Sequence, residues 1–196
     1  MGRALGWTLL TLALSAQVIE FEQNGLKYQT LTRNGITVMY AHMPAPVRDY
    51  QILLVAVSNG GRTPSTFRPE DFYYLRADGA AIRGATARHV VSELLEKGNR
   101  GDVIKLVSTY ESGLYGMSRI RSTNGYEQRR QAALAEVSST RLKAAAAASA
   151  IALVETKLLA GQSTDGAVFL ASAGRPLPPG RLVVRSASGE FQFNEE

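Results

Sequence analysis

The chain has 196 residues, of which 45% are hydrophobic, and a formal net charge of +5. This length and composition suit one domain with a substantial core and exclude a wholly disordered chain. The chain contains no cysteine, which excludes disulfide-stapled scaffolds, zinc–thiolate sites and thiol-linked lipid anchors.

The first sixteen residues have the layout of a secretory signal peptide. A short positive start, Met1–Arg3, precedes the apolar run Ala4–Leu14, and small residues end the segment at Ala13–Ala16. The apolar run is too short to cross a bilayer as a helix. We therefore expect residues 1–16 to be removed and the mature protein to be periplasmic or extracellular. An uncleaved anchor and a buried N-terminal helix are the alternatives.

The lack of cysteine and of N-glycosylation sites indicates a bacterial envelope protein. No asparagine is followed by serine or threonine two places on. In an exported chain a modest positive charge favours anionic lipids or polysaccharides over nucleic acid as partners. The same charge is also typical of an ordinary solvated surface.

Residues 17–84 have the period-two pattern and turn signals of β-strands. Asn24-Gly25 and Asn34-Gly35 are hairpin signals because both residue types tolerate positive φ angles. The most apolar strand candidate, Tyr50–Ser58, is expected at the centre of the sheet. The full set of predicted strands in this block is Val18–Glu22, Leu26–Leu31, Ile36–His42, Tyr50–Ser58 and a strand within Phe67–Leu75.

Residues 85–160 contain no proline and predict helices. Gly98 marks the end of a first helix, and a second begins near Val103. From Tyr126 to Leu159 nothing breaks the helical pattern, which includes five consecutive alanines at 144–148. Small residues permit close packing of another helix, so we expect an antiparallel hairpin. It either packs on itself and on the sheet or serves partner binding or self-association.

Residues 161–196 return to strands, at 167–171, 181–186 and 190–194. Together with residues 17–84 they match the size of an immunoglobulin-like domain. Strands, then helices, then strands without regular alternation disfavour a parallel α/β sheet. The predicted fold class is therefore α+β: an immunoglobulin-like antiparallel β-sandwich, residues 17–84 and 161–196, interrupted by a helical hairpin-like insertion, residues 85–160.

Three segments in the two strand blocks carry a family resemblance. They are Tyr50–Asn59 ending in Val-Ser-Asn, the Phe67…Phe72 segment, and Gly166-Ala167-Val168-Phe169. In these segments the chain resembles exported bacterial immunoglobulin-like (telokin-like) β-sandwich domains of unknown function. The helical middle departs from that pattern. The resemblance implies a fold and no functional residues.

Candidates for catalysis and metal binding are few. The two histidines, His42 on a strand and His89 on a helix, cannot form the familiar zinc spacings. Glu70-Asp71 is a carboxylate pair, but neighbours on a strand point to opposite faces. No nucleophile elbow, P-loop or dinucleotide-binding motif occurs. We therefore expect no catalytic residue, no metal ligand and no cofactor.

Tyrosine and arginine cluster between the predicted helices. Both residue types are favoured at recognition hot spots, and arginine binds phosphates or carboxylates in bidentate geometry. An exposed turn near Ser122–Gly125 is expected to present them. The alternative is that the tyrosines cover the end of the hairpin while the arginines are solvated. The candidate partner-binding residues are Tyr110, Tyr115, Arg119, Arg121, Tyr126, Arg129 and Arg130.

The sequence therefore predicts an exported, non-enzymatic interaction or structural domain of the bacterial cell envelope. Its partner would be an envelope protein or an anionic envelope component. The alternative is a cell-wall polymer hydrolase whose site no motif reveals. Two converging carboxylates in a pocket, or a serine within reach of His42 or His89, would favour that alternative.

The signal-peptide interpretation predicts processing after Ala16. When the full chain is expressed in a bacterium, the exported product should begin near Gln17, because small residues follow the apolar run there. N-terminal sequencing of the exported product checks this. A soluble cytosolic pool that begins at Met1 would contradict the predicted localisation.

Overall fold

The computed structural model describes residues 17–116, Thr123 and residues 139–195. The predicted signal peptide lies outside this range. Strands account for 46% and helices for 25% of the structure. The described strands are β1 (Ile19–Gln23), β2 (Leu26–Arg33), β3 (Ile36–His42), β4 (Tyr50–Asn59), β5 (Ser65–Phe67), β6 (Phe72–Arg76), β7 (Ala81–Ala85), β8 (Thr156–Leu158), β9 (Ser163–Ala171), β10 (Gly180–Ser186) and β11 (Gly189–Glu195).

Nine of these strands form one antiparallel sheet in the order β1-β2-β3-β4-β9-β7-β6-β10-β11, and β5 pairs with β8 separately. The large sheet curls into a half-barrel. The curl brings β11 against β2, where the Asn194 N–H donates to Gln29 Oε1 at 3.0 Å. One end strand of the sheet, β11, therefore meets β2 through a side chain.

The predicted immunoglobulin-like sandwich is wrong. A sandwich separates its strands into two sheets, whereas β9 here pairs with β4 on one side and with β7 on the other. Those main-chain hydrogen bonds join the two halves of the chain into one continuous curled sheet. Strand number and spacing predicted β structure correctly but did not determine which strands pair.

The hairpin and central-strand predictions are confirmed. Asn24 and Gly25 have φ angles of 53° and 74°, and Asn34 and Gly35 have 51° and 76°, which match turns that need two positive φ angles. β4 lies between β3 and β9, and its side chains are buried on both faces of the sheet except Ser58, which is partly buried. Such two-sided burial explains why its sequence is a nearly continuous apolar run.

Two cores lie on opposite faces of the sheet. The concave interior of the half-barrel is filled by residues such as Val55, Phe72 and Phe191. The outer face of β2, β3, β4 and β9 is covered by helices, and its core includes Ile52 and Phe169. The alternation along β4 sends successive residues into these two cores.

Three described helices form the covering layer: α1 (Ala87–Lys97), α2 (Arg100–Gly116) and α3 (Thr140–Ile151). Thr86 caps α1 by accepting from the His89 N–H at 3.2 Å, and the helix ends at Gly98 as predicted. Asn99 and Asp102 exchange backbone-to-side-chain bonds of 2.9 and 3.0 Å at the start of α2. This capping box begins a second helix immediately after the first ends.

The predicted continuous helix from Tyr126 to Leu159 is wrong, because α3 begins after an extended N-cap residue, Ser139, and ends well before Leu159. α3 ends at Ile151, after which the Leu153 N–H donates to the Ala167 carbonyl at 2.8 Å and Thr156–Leu158 form β8. Residues 124–138 lie outside the described range. This segment is not helical despite its high helix propensity, because main-chain pairing with β9 and β5 satisfies the same backbone groups and buries Leu153 and Leu158.

The alanine-rich stretch packs closely, as its small residues predicted. Ala144, Ala145, Ala147 and Ala148 are buried, and α3 contacts both α1 and α2. A Cβ added at Gly98 would lie 2.9 Å from the Ala144 Cβ, which shows how near the chain after α1 comes to α3. Buried side chains of the described helices share the outer core with strand residues, so these helices lie on the sheet. None of them is long and apolar enough to span a membrane.

Two adjacent leucines of α1 test how much this helix layer stabilises the sheet. Leu94 is 1% exposed and Leu95 is 42% exposed. We expect Leu94→Ala to lower the free energy of unfolding by about 2–5 kcal/mol, because it leaves a cavity in the outer core. Leu95→Ala, the matched control, should cost about 1 kcal/mol or less. Chemical denaturation measures both, and equal losses would contradict the packing described here.

Candidate functional site

The predicted Tyr/Arg recognition surface lies almost entirely outside the described residues. This applies to Arg119, Arg121, Tyr126, Arg129 and Arg130 and to the side chains of Tyr110 and Tyr115. Thr123, from the predicted turn, is exposed, and its hydroxyl accepts from the Ser163 N–H of β9 at 3.1 Å. The recognition surface therefore stays a prediction.

The two histidines have different surroundings. His89 is exposed in the first turn of α1. His42, at the end of β3, is partly buried between aromatic rings: its ring centre lies 5.7 Å from that of Tyr40 and 6.0 Å from that of Tyr74. Within the described residues no group of three or more acidic or histidine side chains could hold a metal ion.

The carboxylate pair Glu70-Asp71 has a structural role. Both residues lie in a 3₁₀ turn, Pro69–Asp71, where Asp71 Oδ2 accepts from the Arg68 N–H at 2.9 Å. The Glu70 carbonyl accepts from Arg83 Nε at 2.8 Å. Burial raises the pKa of Asp71, opposed by its hydrogen bond to the Arg68 backbone. The Asp71 carboxylate thus caps its own turn.

A groove of about 740 Å³ lies beside the β1–β2 hairpin. We call it the hairpin groove. The turn Asn24-Gly25 places β1 and β2 side by side, and the end of β3 and the last residue of β11 complete the walls. The lining residues are Glu20, Phe21, Glu22, Gly25, Leu26, Lys27, Tyr28, Gln29, His42, Pro44 and Glu195.

The hairpin groove is acidic although the whole chain is basic. Three carboxylates, Glu20, Glu22 and Glu195, line it together with one lysine, Lys27. Glu20 and Glu22 are exposed and share one face of β1 because they are two residues apart. The Asn194 amide donates to Glu20 Oε1 at 2.6 Å. A recess of this charge attracts cationic groups.

An aromatic pair lies beside the hairpin groove. Phe21 and Tyr28 are cross-strand partners, and their rings stack with centres 5.1 Å apart. Phe21 is 38% exposed, whereas Tyr28 is fully buried. The Tyr28 hydroxyl makes no hydrogen bond within the described residues, and burial raises its pKa. A buried hydroxyl without a partner is costly to keep.

A smaller cleft of about 290 Å³ adjoins the hairpin groove at His42 and Pro44. Tyr74 and Gln51 lie in this cleft, and both have partners in the loop before β10. The Tyr74 hydroxyl donates to the Pro178 carbonyl at 2.8 Å, and Gln51 Nε2 donates to the Arg175 carbonyl at 3.1 Å. These bonds hold the proline-containing loop against β4 and β6.

Sequence reasoning placed Glu20, Phe21 and Glu22 in a strand but did not identify them as a site. The available signal was the pattern Ile19-Glu20-Phe21-Glu22, which alternates apolar and acidic residues. Such alternation predicts one buried face, yet the first four residues of β1 are all exposed. Only the order of strands in the sheet reveals that β1 is an edge.

Comparison with known proteins identifies no family. No family model and no curated protein matches the chain. One similar solved structure is that of the yjhA protein from Bacillus subtilis, at 11% sequence identity and a TM-score of 0.34. The match covers 85% of this chain and 77% of that one. A likeness this weak supports no assignment, and the resemblance to telokin-like domains stays a prediction.

Substitution of two buried tyrosines tests whether the Tyr28 hydroxyl lacks a hydrogen-bond partner. Tyr74, whose hydroxyl has a partner, is the comparison. Tyr28→Phe should leave the free energy of unfolding unchanged or raise it by about 1 kcal/mol, because it removes a buried hydroxyl without a partner. Tyr74→Phe should lower it by about 1 kcal/mol, since the Pro178 carbonyl loses its donor. Urea denaturation compares them. A clear loss in Tyr28→Phe would show that its hydroxyl is paired.

Proposed function

We propose that this chain is an exported, non-enzymatic interaction domain of the bacterial cell envelope. The observation that carries the proposal is the hairpin groove, about 740 Å³ in volume and lined by exposed acids beside an aromatic pair. Its volume lies within the range of ordinary ligand sites. Aromatic contact area with charged groups around it is typical of recognition surfaces.

The exposure of the groove carboxylates favours binding over catalysis. A general acid needs a carboxyl group that is enclosed enough to stay protonated near neutral pH. Glu20 and Glu22 are both exposed on an edge strand. Carboxylates in such a position remain solvated and are suited to attracting a cationic partner.

The alternative function, hydrolysis of a cell-wall polymer, has one observation in its favour. Glu20, Glu22 and Glu195 line the same recess. Residues two apart on a strand are about 6.7 Å apart along the chain, a spacing compatible with a pair of catalytic carboxylates. His42 lines the same recess.

Two kinds of partner follow from the two charged regions. The hairpin groove suits a cationic group, whereas the arginines at 119, 121, 129 and 130 would suit an anionic envelope component. Self-association through the helices is a third possibility, supported by exposed apolar side chains at Leu95, Ile104 and Leu142. We favour the groove as the binding surface, because the structure describes the residues that line it.

Site-specific crosslinking in cells tests the proposal. A photo-crosslinking residue at Lys27, which is exposed and lines the groove, should give a discrete adduct with an envelope component. The same residue at Arg62, exposed near Gly35 at the opposite end of the barrel, is the control and should give none. Adducts are detected by gel mobility after cell fractionation.

Absence of any adduct at Lys27 would contradict the interaction proposal. Release of soluble fragments from purified peptidoglycan would instead establish the hydrolase. That activity should then be lost in the Glu20→Gln Glu22→Gln variant, while thermal stability is retained.

A further inference from the structure

The two edges of the curled sheet differ in accessibility. The outer edge of β11 is occupied by side chains from the β2–β3 hairpin: Arg33 Nη1 donates to the Glu190 carbonyl at 2.8 Å and Asn34 Nδ2 to the Ser188 carbonyl at 3.0 Å. Gln29 accepts from the Asn194 N–H of the same edge. Within the described residues, β1 pairs with β2 alone. Among residues 17–116, 123 and 139–195, the outer edge of β1 thus has no strand partner, and we call it the open edge.

The register of the hairpin shows which peptide groups face this open edge. Gln23 and Leu26 flank a two-residue turn, so they form a hydrogen-bonded pair. Hydrogen-bonded pairs alternate along an antiparallel ladder, which makes Phe21 and Tyr28 the next such pair. The peptide groups of Glu20 and Glu22 consequently point away from β2, toward the open edge.

The side chains of β1 define what a further strand would need. Ile19 is 60% exposed and Phe21 38% exposed, and they share one face of the strand. Glu20 and Glu22 share the other. Because side chains directly opposite each other on paired strands interact, a matching strand would carry basic residues opposite the acids and apolar residues opposite Ile19 and Phe21.

A second copy of this chain is a poor occupant of the edge. Antiparallel pairing of two β1 strands about Phe21 places Glu20 of one copy opposite Glu22 of the other. Like charges directly opposite on paired strands are destabilising. Charge complementarity therefore favours a different chain that supplies lysine or arginine.

We propose that the open edge of β1 binds an extended segment of a partner protein in which basic and apolar residues alternate. The segment adds to the sheet as an antiparallel strand beyond β1, with main-chain hydrogen bonds to Glu20 and Glu22. Its basic side chains contact the carboxylates of the hairpin groove, and its apolar side chains cover Ile19 and Phe21. This inference rests on the proposed interaction function and adds the chemistry of the partner.

A synthetic peptide with the sequence acetyl-(Lys-Val)₃-amide is the probe, and calorimetry with the purified full chain measures its dissociation constant. Binding should weaken as salt is added, because exposed charges contribute. An otherwise identical peptide with glutamate in place of lysine should not bind measurably. Equal binding of both peptides would overturn the proposal.

Backbone methylation tests strand addition by register. In a strand added antiparallel to β1, the residues opposite Glu20 and Glu22 direct their N–H groups at β1, so these are the lysines. Methylating the lysine nitrogens of the peptide should weaken binding about tenfold or more, equivalent to about 1.4 kcal/mol. Methylating the valine nitrogens, the matched control, should change it little. Equal effects of the two modifications would overturn strand addition.

A paired substitution tests the same edge from the protein side. Glu22→Pro removes an outward N–H without removing a bond to β2, and Glu22→Gln removes only the charge. The proline variant should bind the lysine peptide about tenfold more weakly than the glutamine variant, with similar melting temperatures. Equal affinities would overturn the proposal. If the proline variant unfolds, the affinities of the methylated peptides for the unsubstituted protein decide whether the strand adds to β1.

The outcomes separate this inference from the proposed function. An adduct at Lys27 in cells combined with no discrimination between the methylated peptides leaves the interaction function standing and overturns strand addition. A concentration-dependent dimer that the proline variant abolishes, measured by sedimentation, would show that a second copy occupies the edge and would also overturn the inference.

Discussion

The pairing of β9 with strands on both of its sides is the interaction on which the rest of the structure depends. β9 forms nine residue pairs with β4, from Tyr50↔Ala171 to Ser58↔Ser163, and two further pairs with β7. Two glycines allow other chain segments to approach this region. A Cβ at Gly166 would meet the Leu153 backbone at 2.7 Å, and one at Gly84 would meet the Pro69 carbonyl at 2.1 Å. A side chain at either position would force these neighbouring segments away from the sheet.

This central ladder also determines where the edges of the sheet fall. With β9 in the middle, β1 and β11 become the two ends, and the curl brings the second end against β2. Side chains of the β2–β3 hairpin then satisfy peptide groups of β11, while β1 lies beyond their reach. The unequal edges are therefore a consequence of the strand order, and the hairpin groove lies beside the open one.

Local features of the fold were predictable from the sequence, and long-range pairing was not. Asn24-Gly25, Asn34-Gly35 and Gly98 act through their own backbone preferences, so their turns and the helix end were predicted correctly. The union of β9 with β4 and β7 joins residues that are distant in the chain, and alternation predicts strands without specifying their partners. β7, with the sequence Ala-Ile-Arg-Gly-Ala, has no strong strand signal of its own.

The candidate site was missed for a related reason. Glu20 and Glu22 alternate with Ile19 and Phe21, as in a strand that has one face buried, and the first four residues of β1 are instead exposed. Whether such a strand lies inside a sheet or at its edge depends on partners elsewhere in the chain. Of the residues considered for catalysis, Asp71 caps its own turn and His89 is exposed, whereas His42 lines the hairpin groove.

The glutamates of β1 have two consequences that reinforce each other. An exposed strand edge promotes aggregation, and charged side chains along it oppose pairing between identical copies. The same charges lower the energy of a complex with a basic strand, so one pair of residues separates the correct partner from the incorrect one. Specificity is a difference between two binding free energies, and repulsion within the unwanted pair contributes as much to it as attraction within the wanted one. The edge needs no rearrangement before binding, because the Phe21–Tyr28 stack and the Asn194–Glu20 hydrogen bond already hold β1 in the sheet.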